Sequence, residues 1–452
     1  MNFFYDANKY FGYDAKLVSA AIRVFKRLNN LDDTLKYYSK LYEKKDLNLN
    51  KLCSWIFFNN YKNHWNQKDY LFYSKLIENY TPSIPEEKLQ NLSNKTSDKI
   101  KIGFLSSDIN SSHSITFFLK TIFKYYDKNK YKIFLILNNK IEDQGTQKFK
   151  NLCDFTININ GLSDEDSINN IRDLNLNIIF DLMGVTSLNR ISLFKNRLAK
   201  TQISWLGYCN TMGIKNMDYL IADPNLIFSD EKKLYSEKIL YLPKIWNCHA
   251  GLNIERTENP LPFLKNQYVT FGSFNNYNKI NEKVLNVWSN ILSKVKGSML
   301  ILKSSTKKEI ENIKSFFYEN KVFNSVQFLP TSKSFEEHIK FYNRIDISLD
   351  TFPYNGVTTS FESIWMGVPV ITMQGFNFNS RCGESINKNI QMSQLISKNE
   401  EDYILKALDL AHNPDKLLSI RKKIFHEALI SPLFDAKTFS RDFFDLINKI
   451  DL

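Results

Sequence analysis

The sequence predicts an α/β protein in which two Rossmann-like strand–helix units stand in tandem behind a small all-α module. Three observations carry that reading. Over the first 80 or so residues apolar side chains recur at three-to-four spacing, the period of an amphipathic helix. From Lys99 the pattern switches to short β-rich runs alternating with helical stretches, the mark of a parallel sheet covered on both faces. The alternation breaks near residue 240 and restarts at Gln267.

The helical period runs through AKLVSAAIRVFKRL, LDDTLKYYSKLYEKK, LNKLCSWIFFNNYKN and KDYLFYSKLIENY. The polar, proline-bearing TPSIPEEKLQNLSNKTSDK that follows reads as a linker. In the first α/β unit KIKIGFLSSD, YKIFLILNN, NIIFDLMG and TQISWLGY are the expected strands, with helices over SITFFLKTIFKYYDK, EDSINNIRDL and NRISLFKNRL. LYLPKIWNCHAGLNIERTENPLPFLKN, about 240 to 266, reads as a second linker. In the second unit YVTFGSFN, SMLILKS, VQFLP, IDISLDTF and VPVITM are strands. NEKVLNVWSNILSKVK, TKKEIENIKSFFYENK, SFEEHIKFYNR and TTSFESIWMG are helices between them, and three more finish the chain. The domains are therefore placed at 1–97, 98–265 and 266–452, with the terminal helix packing back. Two such units bind a ligand in the cleft between them, at the carboxyl ends of their strands.

Composition narrows the function. The chain has 452 residues, 43% hydrophobic and 24% charged, enough for a sizeable core. The net charge of +12 is spread along the chain without a block of like charges, so a solvated basic surface or an anionic small ligand fits better than nucleic acid. The five cysteines lie far apart with no CxxC pair, which argues against a zinc ribbon and a secreted disulfide scaffold. The N-terminus lacks the basic and apolar regions of a signal peptide, and no run approaches the ~18 apolar residues of a membrane span. A cytoplasmic setting is expected. P-loop, GxGxxG, HExxH and GxSxG motifs are absent, which disfavours kinase, NAD enzyme, metallohydrolase and α/β-hydrolase readings. No metal site is expected.

The most informative stretch is YNGVTTSFESIWMGVPVITM, residues 354–373. A turn containing Gly356 leads from a strand into a helix beginning at Thr358 or Thr359, and Gly367 closes that helix before Pro369. A helix start offers unpaired N–H groups and partial positive charge, hence an anion site to which threonine hydroxyls add donors. Glu362, at i+4 from Thr358, shares its face at roughly 5–6 Å, suited to a sugar diol. A threonine cap with a first-turn acid explains the same residues when they are taken alone. Lys279, in FGSFNNYNKIN, stands on a strand-to-helix loop of the same unit and could meet a phosphate; an ordinary solvated lysine is the plainer reading. His338 lies early in a helix near the same edge, placed either to stack on a base or simply to face solvent. In the first unit GFLSSDINSSHSITFF places Asp108 and His113 in a βα loop facing the cleft, as general base and acceptor ligand or as a capping loop.

These segments, with DLMGVTSLNRISLFKNRLAKTQISWLGYCNTMG, MDYLIADP, SRCGESI and TFSRDFFDLI, resemble in order the catalytic region of the protein O-GlcNAc transferase family (SPINDLY-like, bacterial type) from Lys99 onward. The resemblance implies a GT-B fold and an inverting, metal-independent transfer from a nucleotide-sugar, usually UDP-GlcNAc, to Ser or Thr of a protein. Some relatives transfer hexose to Asn, and a silent nucleotide-sugar-binding scaffold is the alternative from another class. No cofactor is implied beyond the UDP-sugar substrate. By resemblance Lys279 holds the donor diphosphate, Asn276 stands where animal enzymes have glutamine, and Thr358 and Thr359 bind phosphate. Glu362 takes the ribose, His338 packs on uracil, and Leu206 and Gly207 lie near the donor sugar. His113 matches a cleft histidine and, with Asp108, is the candidate for taking the acceptor proton. The chain departs from the family at Val185, Val357, Cys209 and Asn210. Only about 95 residues precede the matching region, where the family usually carries a long repeat array, so the N-terminal helices are the candidate for docking a partner.

Overall fold

The computed structural model describes residues 13–62, 64–81, 84, 99–252, 254–256, 258, 260–304 and 306–450. The polar segment read as the first linker lies almost wholly outside them. The described chain opens with helices Ala15–Arg27, Leu31–Glu43, Leu49–Asn59 and Gln67–Lys75, then a single turn at Ile77–Tyr80. Each of the four longer helices starts on a short polar side chain that accepts a first-turn N–H: Asp14, Asn30, Asn48 and Asn66. At Asn66 the reciprocal bond from Asp69 completes a capping box.

The first sheet has seven parallel strands: β1 Ile100–Ser106, β2 Tyr131–Leu137, β3 Phe155–Asn158, β4 Ile178–Asp181, β5 Thr201–Ser204, β6 Tyr219–Ala222 and β7 Lys238–Tyr241. Their order is β3-β2-β1-β4-β5-β6-β7. The second sheet has β8 Thr270–Ser273, β9 Met299–Lys303, β10 Val326–Leu329, β11 Ile347–Leu349, β12 Val370–Met373 and β13 Ile396–Ser397, in the order β10-β9-β8-β11-β12-β13. Both sheets reverse direction beside their first strand, so each opens a crevice there at its carboxyl edge. Two Rossmann-like units facing one cleft form the GT-B arrangement.

Three features differ from the sequence expectation. Strands β3, β6, β7 and β13 are extra; each has four residues or fewer, too short to show a period. Helices at Gln144–Lys150, Pro262–Asn266 and Cys382–Asn389 are also extra. The helix expected over NRISLFKNRL is one 3-10 turn, Ile191–Lys195. Buried side-chain amides take its backbone partners: Gln202 Nε2 donates to Phe194 O at 3.1 Å, Gln202 Oε1 accepts from Leu198 N at 2.9 Å, and Asn216 Nδ2 donates to Lys195 O.

Successive residues of the first sheet enter different cores, as the pleat requires. Ile102, Phe104, Ile133 and Phe180 join a cluster continuous with the second unit. Leu105, Phe134, Ile136 and Ile179 instead meet Val18, Phe25, Leu52 and Ile56 of the opening helices. Those helices thus cover one face of a parallel sheet that cannot be left wet. They also reach the second unit: Gln67 Nε2 donates to Asn210 Oδ1 at 2.7 Å, while Gln67 Oε1 accepts from Asn377 Nδ2 at 3.1 Å. Arg381 of the second unit donates to Glu231 of the first at 2.7 Å. The last helix, Ala436–Ile447, lies on the first unit, where Phe443 meets Phe180 and Trp205. Among the described residues no helix is long and apolar enough to cross a membrane.

Candidate functional site

The loops leaving β8 and β11 run side by side at the carboxyl edge of the second sheet. After β8, Asn276 accepts from Asn278 N at 3.0 Å and starts a 3-10 turn, Tyr277–Lys279. The turn sends Lys279 across to the neighbouring loop, where Nζ donates to Asn355 O at 2.7 Å and stands 4.0 Å over the Tyr354 ring. Burial lowers the Lys279 ammonium to about 8, partly offset by the Asp350 carboxylate. Asp350, at the end of β11, is itself raised to about 6 by burial. It accepts from Gly356 N at 2.7 Å, Thr351 N at 2.8 Å and Thr372 Oγ1 at 2.8 Å, and so shapes the loop that carries Lys279's partners.

The helix Thr358–Trp365 follows at once, and no side chain caps its start. Its first N–H groups therefore keep their donor capacity and partial positive charge. Thr359 Oγ1 donates to Asn275 Oδ1 at 3.0 Å. A Cβ at Gly356 would collide with Thr359 Oγ1 and come within 2.8 Å of Asn275 Oδ1, so the approach of loop to helix needs glycine. At the far end Gly367, at φ +73°, ends the helix.

From the first unit, the loop after β1 brings His113 with its side chain 43% exposed and Nε2 3.9 Å from Asp108 Oδ2. Burial raises the Asp108 carboxyl and His113 offsets part of that rise. After β5, Leu206 adopts φ +78°, rare for a side chain of its size and of the kind that clusters at functional sites. Gly207 runs against the Leu182 carbonyl, where a Cβ would overlap.

A chamber of about 280 Å³ lies between the units. It brings His113, Leu206 and Gly207 from the first unit to face Asn276, Lys279, Thr358 and Thr359 from the second. Asp108, Gly356, His338 and Glu362 are not part of its lining. His338 and Glu362 are both buried, behind Thr359. Lys303 Nζ donates to His338 Nδ1 at 3.2 Å, which leaves the ring proton on Nε2 to donate to Glu362 Oε2 at 3.0 Å. The Tyr342 hydroxyl lies 2.9 Å from the same Oε2 and 3.1 Å from Thr359 O. Val357 and Cys209 line the chamber, whereas Asn210 is turned to Gln67 and Val185 is buried under the opening helices.

Sequence reasoning passed over Asp350, Asn275 and Tyr354, although Asp350 closes the strand in LDTF, where a buried acid is a signal. It also passed over Trp246 and Asn247, which line the chamber from within the stretch read as the second linker. Among the described residues no group of three or more His, Cys, Asp or Glu could hold a metal ion. The arrangement presents one half-buried cation, a helix N-terminus and the Thr358 hydroxyl to an anion, with the Thr359 hydroxyl turned to Asn275 and a histidine across the cleft.

A family model described as Glycosyl transferase family 41 matches residues 83–253 and 254–443. A probable UDP-N-acetylglucosamine–peptide N-acetylglucosaminyltransferase SPINDLY from Solanum lycopersicum is 32% identical over 352 residues, 75% of this chain and 37% of that protein. The probable transferase SEC from Arabidopsis thaliana is 25% identical over 367 residues, 77% of this chain and 37% of its own length. The chain thus spans under two fifths of the length of these curated relatives. Among solved structures, a mutant of the Thermobaculum terrenum O-GlcNAc transferase superposes with a TM-score of 0.87 at 21% identity, over 96% of this chain and 84% of that one. Anabaena HepE in complex with UDP and glucose gives 0.54 at 11% identity, over 78% of this chain and all of that one. At these identities the superpositions speak to the fold.

Proposed function

Because the chain belongs to glycosyl transferase family 41, we propose that it moves GlcNAc from UDP-GlcNAc to Ser or Thr hydroxyls of a protein, with inversion and without a metal. The observation that carries this reading is the half-buried Lys279 beside the uncapped start of the helix Thr358–Trp365. As the anomeric carbon separates from the diphosphate, negative charge grows on the leaving oxygens. The first-turn N–H groups and the Thr358 hydroxyl stand at that edge to stabilise it, and Lys279 and the Thr359 hydroxyl join them by giving up their bonds to Asn355 and Asn275, together filling the role a metal plays elsewhere. Asn276 adds an amide at the same edge. In the empty protein Lys279 rests on Asn355 O and the Tyr354 ring, so donor binding exchanges those contacts for phosphate.

By the family resemblance His338 and Glu362 take the nucleoside end; both lie buried outside the chamber lining, so a nucleoside reaches them only if the chamber opens past Thr359. Glu362 Oε2 is engaged by His338 and Tyr342, which leaves Oε1 for a ribose hydroxyl and holds the imidazole flat for a base. Leu206 and Gly207 border the sugar. His113, exposed and backed by Asp108, takes the acceptor proton. On this reading residues 98–265 form the acceptor side, 266–452 the donor side, and the helices before them dock the protein acceptor. The five cysteines are free thiols, the state a reducing compartment such as the cytoplasm maintains.

The test is incubation of the purified protein with UDP-GlcNAc and a lysate, followed by intact-protein and site-resolved mass spectrometry. Added mass of one N-acetylhexosamine on Ser or Thr is expected. Lys279→Ala should lower kcat steeply with the fold intact; wild-type turnover in that variant refutes the assignment, and transfer of hexose to Asn refutes the linkage.

A further inference from the structure

The lysine that faces the chamber is held by a neighbouring loop. Lys279 Nζ stands 4.0 Å from the centre of the Tyr354 ring and donates to Asn355 O at 2.7 Å, so one aromatic face and one carbonyl keep the ammonium in place. The face of an aromatic ring is its negative side and attracts a cation. Tyr354 lines the chamber beside Lys279.

Tyr354 is in turn supported from outside its own unit. The Tyr61 ring stacks on it, with centroids 5.2 Å apart and planes inclined by 29°. Tyr61 follows the opening helix Leu49–Asn59, and Phe57 of that helix meets the Tyr61 and Tyr354 rings edge-on at 5.7 Å and 6.5 Å. One amide ties the three segments together. Asn281 Nδ2 donates to Phe352 O at 2.6 Å and to Tyr61 O at 3.4 Å, while Asn281 Oδ1 accepts from Val284 N at 3.1 Å and starts the helix Glu282–Lys294 just past Lys279. Thr351 Oγ1 donates to Tyr354 O at 2.8 Å and fixes the ring's own backbone. The Tyr354 ring thus joins the opening helices to the lysine.

We propose that Tyr354 is a positioning residue for Lys279 and that Tyr61 holds Tyr354, so that the opening helices complete the donor site. The ring face keeps the ammonium charged at the chamber wall without carrying a charge itself. A carboxylate in its place would compete with the donor's phosphates, and an aliphatic side chain would leave a half-buried charge unsupported. The other groups that act on the Lys279 charge are Asp350 at the end of β11, Cys382 on the helix Cys382–Asn389 and Cys209 from the first unit, with His113 across the chamber. All four are kept in the variants below. This inference rests on the donor reading above and names what holds the lysine ready for it.

The experiment is calorimetric titration of UDP into wild type, Tyr354→Phe, Tyr354→Leu and Tyr61→Leu in half-unit steps from pH 6 to 9.5, beside thermal melting of each protein. The ligand's own slope is taken from Lys279→Met. The pH at which affinity has halved reports the titration of the free lysine. Loss of a cation–ring contact shifts such a titration by about one pH unit. Tyr354→Leu should therefore lower the midpoint by about one unit and Tyr61→Leu by part of that, while Tyr354→Phe keeps the ring face and the wild-type midpoint. A merely structural role would lower the melting temperature, or the affinity at every pH by one factor, and leave the midpoint where it is. Tyr354→Met replaces the leucine variant, with the same expected shift, if that variant does not fold. An unchanged midpoint without the ring overturns the role of Tyr354, and an unchanged midpoint in Tyr61→Leu alone overturns the part given to the opening helices. A wild-type affinity that does not vary with pH overturns this inference and leaves UDP binding standing. Failure of wild type to bind UDP overturns the donor reading, and this inference with it.

Discussion

On the proposed donor reading, the lowered pKa of Lys279 should make UDP binding pH-dependent in a window where an ordinary lysine is silent. Burial brings the ammonium to about 8 from the ordinary lysine value of 10.5. A diphosphate binds the charged form, so the apparent Kd should scale as one plus ten to the power of pH minus pKa. The factor is about 1.1 at pH 7, about 2 at pH 8 and about 11 at pH 9; for a lysine at 10.5 it would stay near 1.03 at pH 9. A terminal phosphate with its second ionisation near 6 is already about nine-tenths dianionic at pH 7 and gains charge above it, which opposes rather than mimics the expected loss of affinity. Asp350, raised to about 6, has also finished titrating below the window. Calorimetric titration with UDP at pH 7, 8 and 9, repeated in buffers of different ionisation enthalpy, should show the loss of affinity and the uptake of about 0.9 proton per UDP at pH 9. Lys279→Met should bind UDP weakly at pH 7 and change little with pH, and any slope it keeps belongs to the ligand's own titration. An affinity in wild type that is flat from pH 7 to 9, or falls equally in the variant, refutes the reasoning.

The remaining expectations use the same geometry. Since burial depresses the Lys279 pKa, its charged form opposes folding below about pH 8, and the penalty fades as pH rises toward 10.5. Lys279→Met should accordingly raise stability at pH 7 by up to roughly 3 kcal/mol, read from urea midpoints, with the gain shrinking at pH 9. Gly356→Ala forces Thr359 or Asn275 to move and should cost about 1–3 kcal/mol by the same assay, with weaker UDP binding. Thr358→Ala should weaken UDP binding by roughly 5–10-fold for one lost hydrogen bond and leave the melting temperature near wild type. Tyr342→Phe deprives Glu362 of a partner and should weaken UDP and uridine alike, but inorganic diphosphate hardly at all.

The two-unit architecture was legible because its central strands are long or apolar enough to announce themselves: β1 and β2 have seven residues each. Strands β3, β7 and β13 escaped notice as short edges that are ordered by a neighbour rather than by their own pattern. The grouping of Lys279, Thr358 and Thr359 at one chamber was legible for a related reason. Lys279, Thr358 and Thr359 sit where a strand hands over to a helix, and that junction is written locally. Glu362 marks the limit: spacing places it on a helix face, but only the packing of Tyr342 and His338 turns its Oε2 inward. Trp246 and Asn247 were illegible because their position depends on where an aperiodic segment docks between two units.

Gln67 has a consequence for motion. One buried side-chain amide, on the helix Gln67–Lys75, holds Asn210 with its nitrogen and Asn377 with its oxygen. Any swing of the second unit away from the first must break one of these bonds or drag the opening helices along. The helices that cover the first sheet therefore tie the two units together, alongside the Arg381–Glu231 and Ser385–Asp223 contacts.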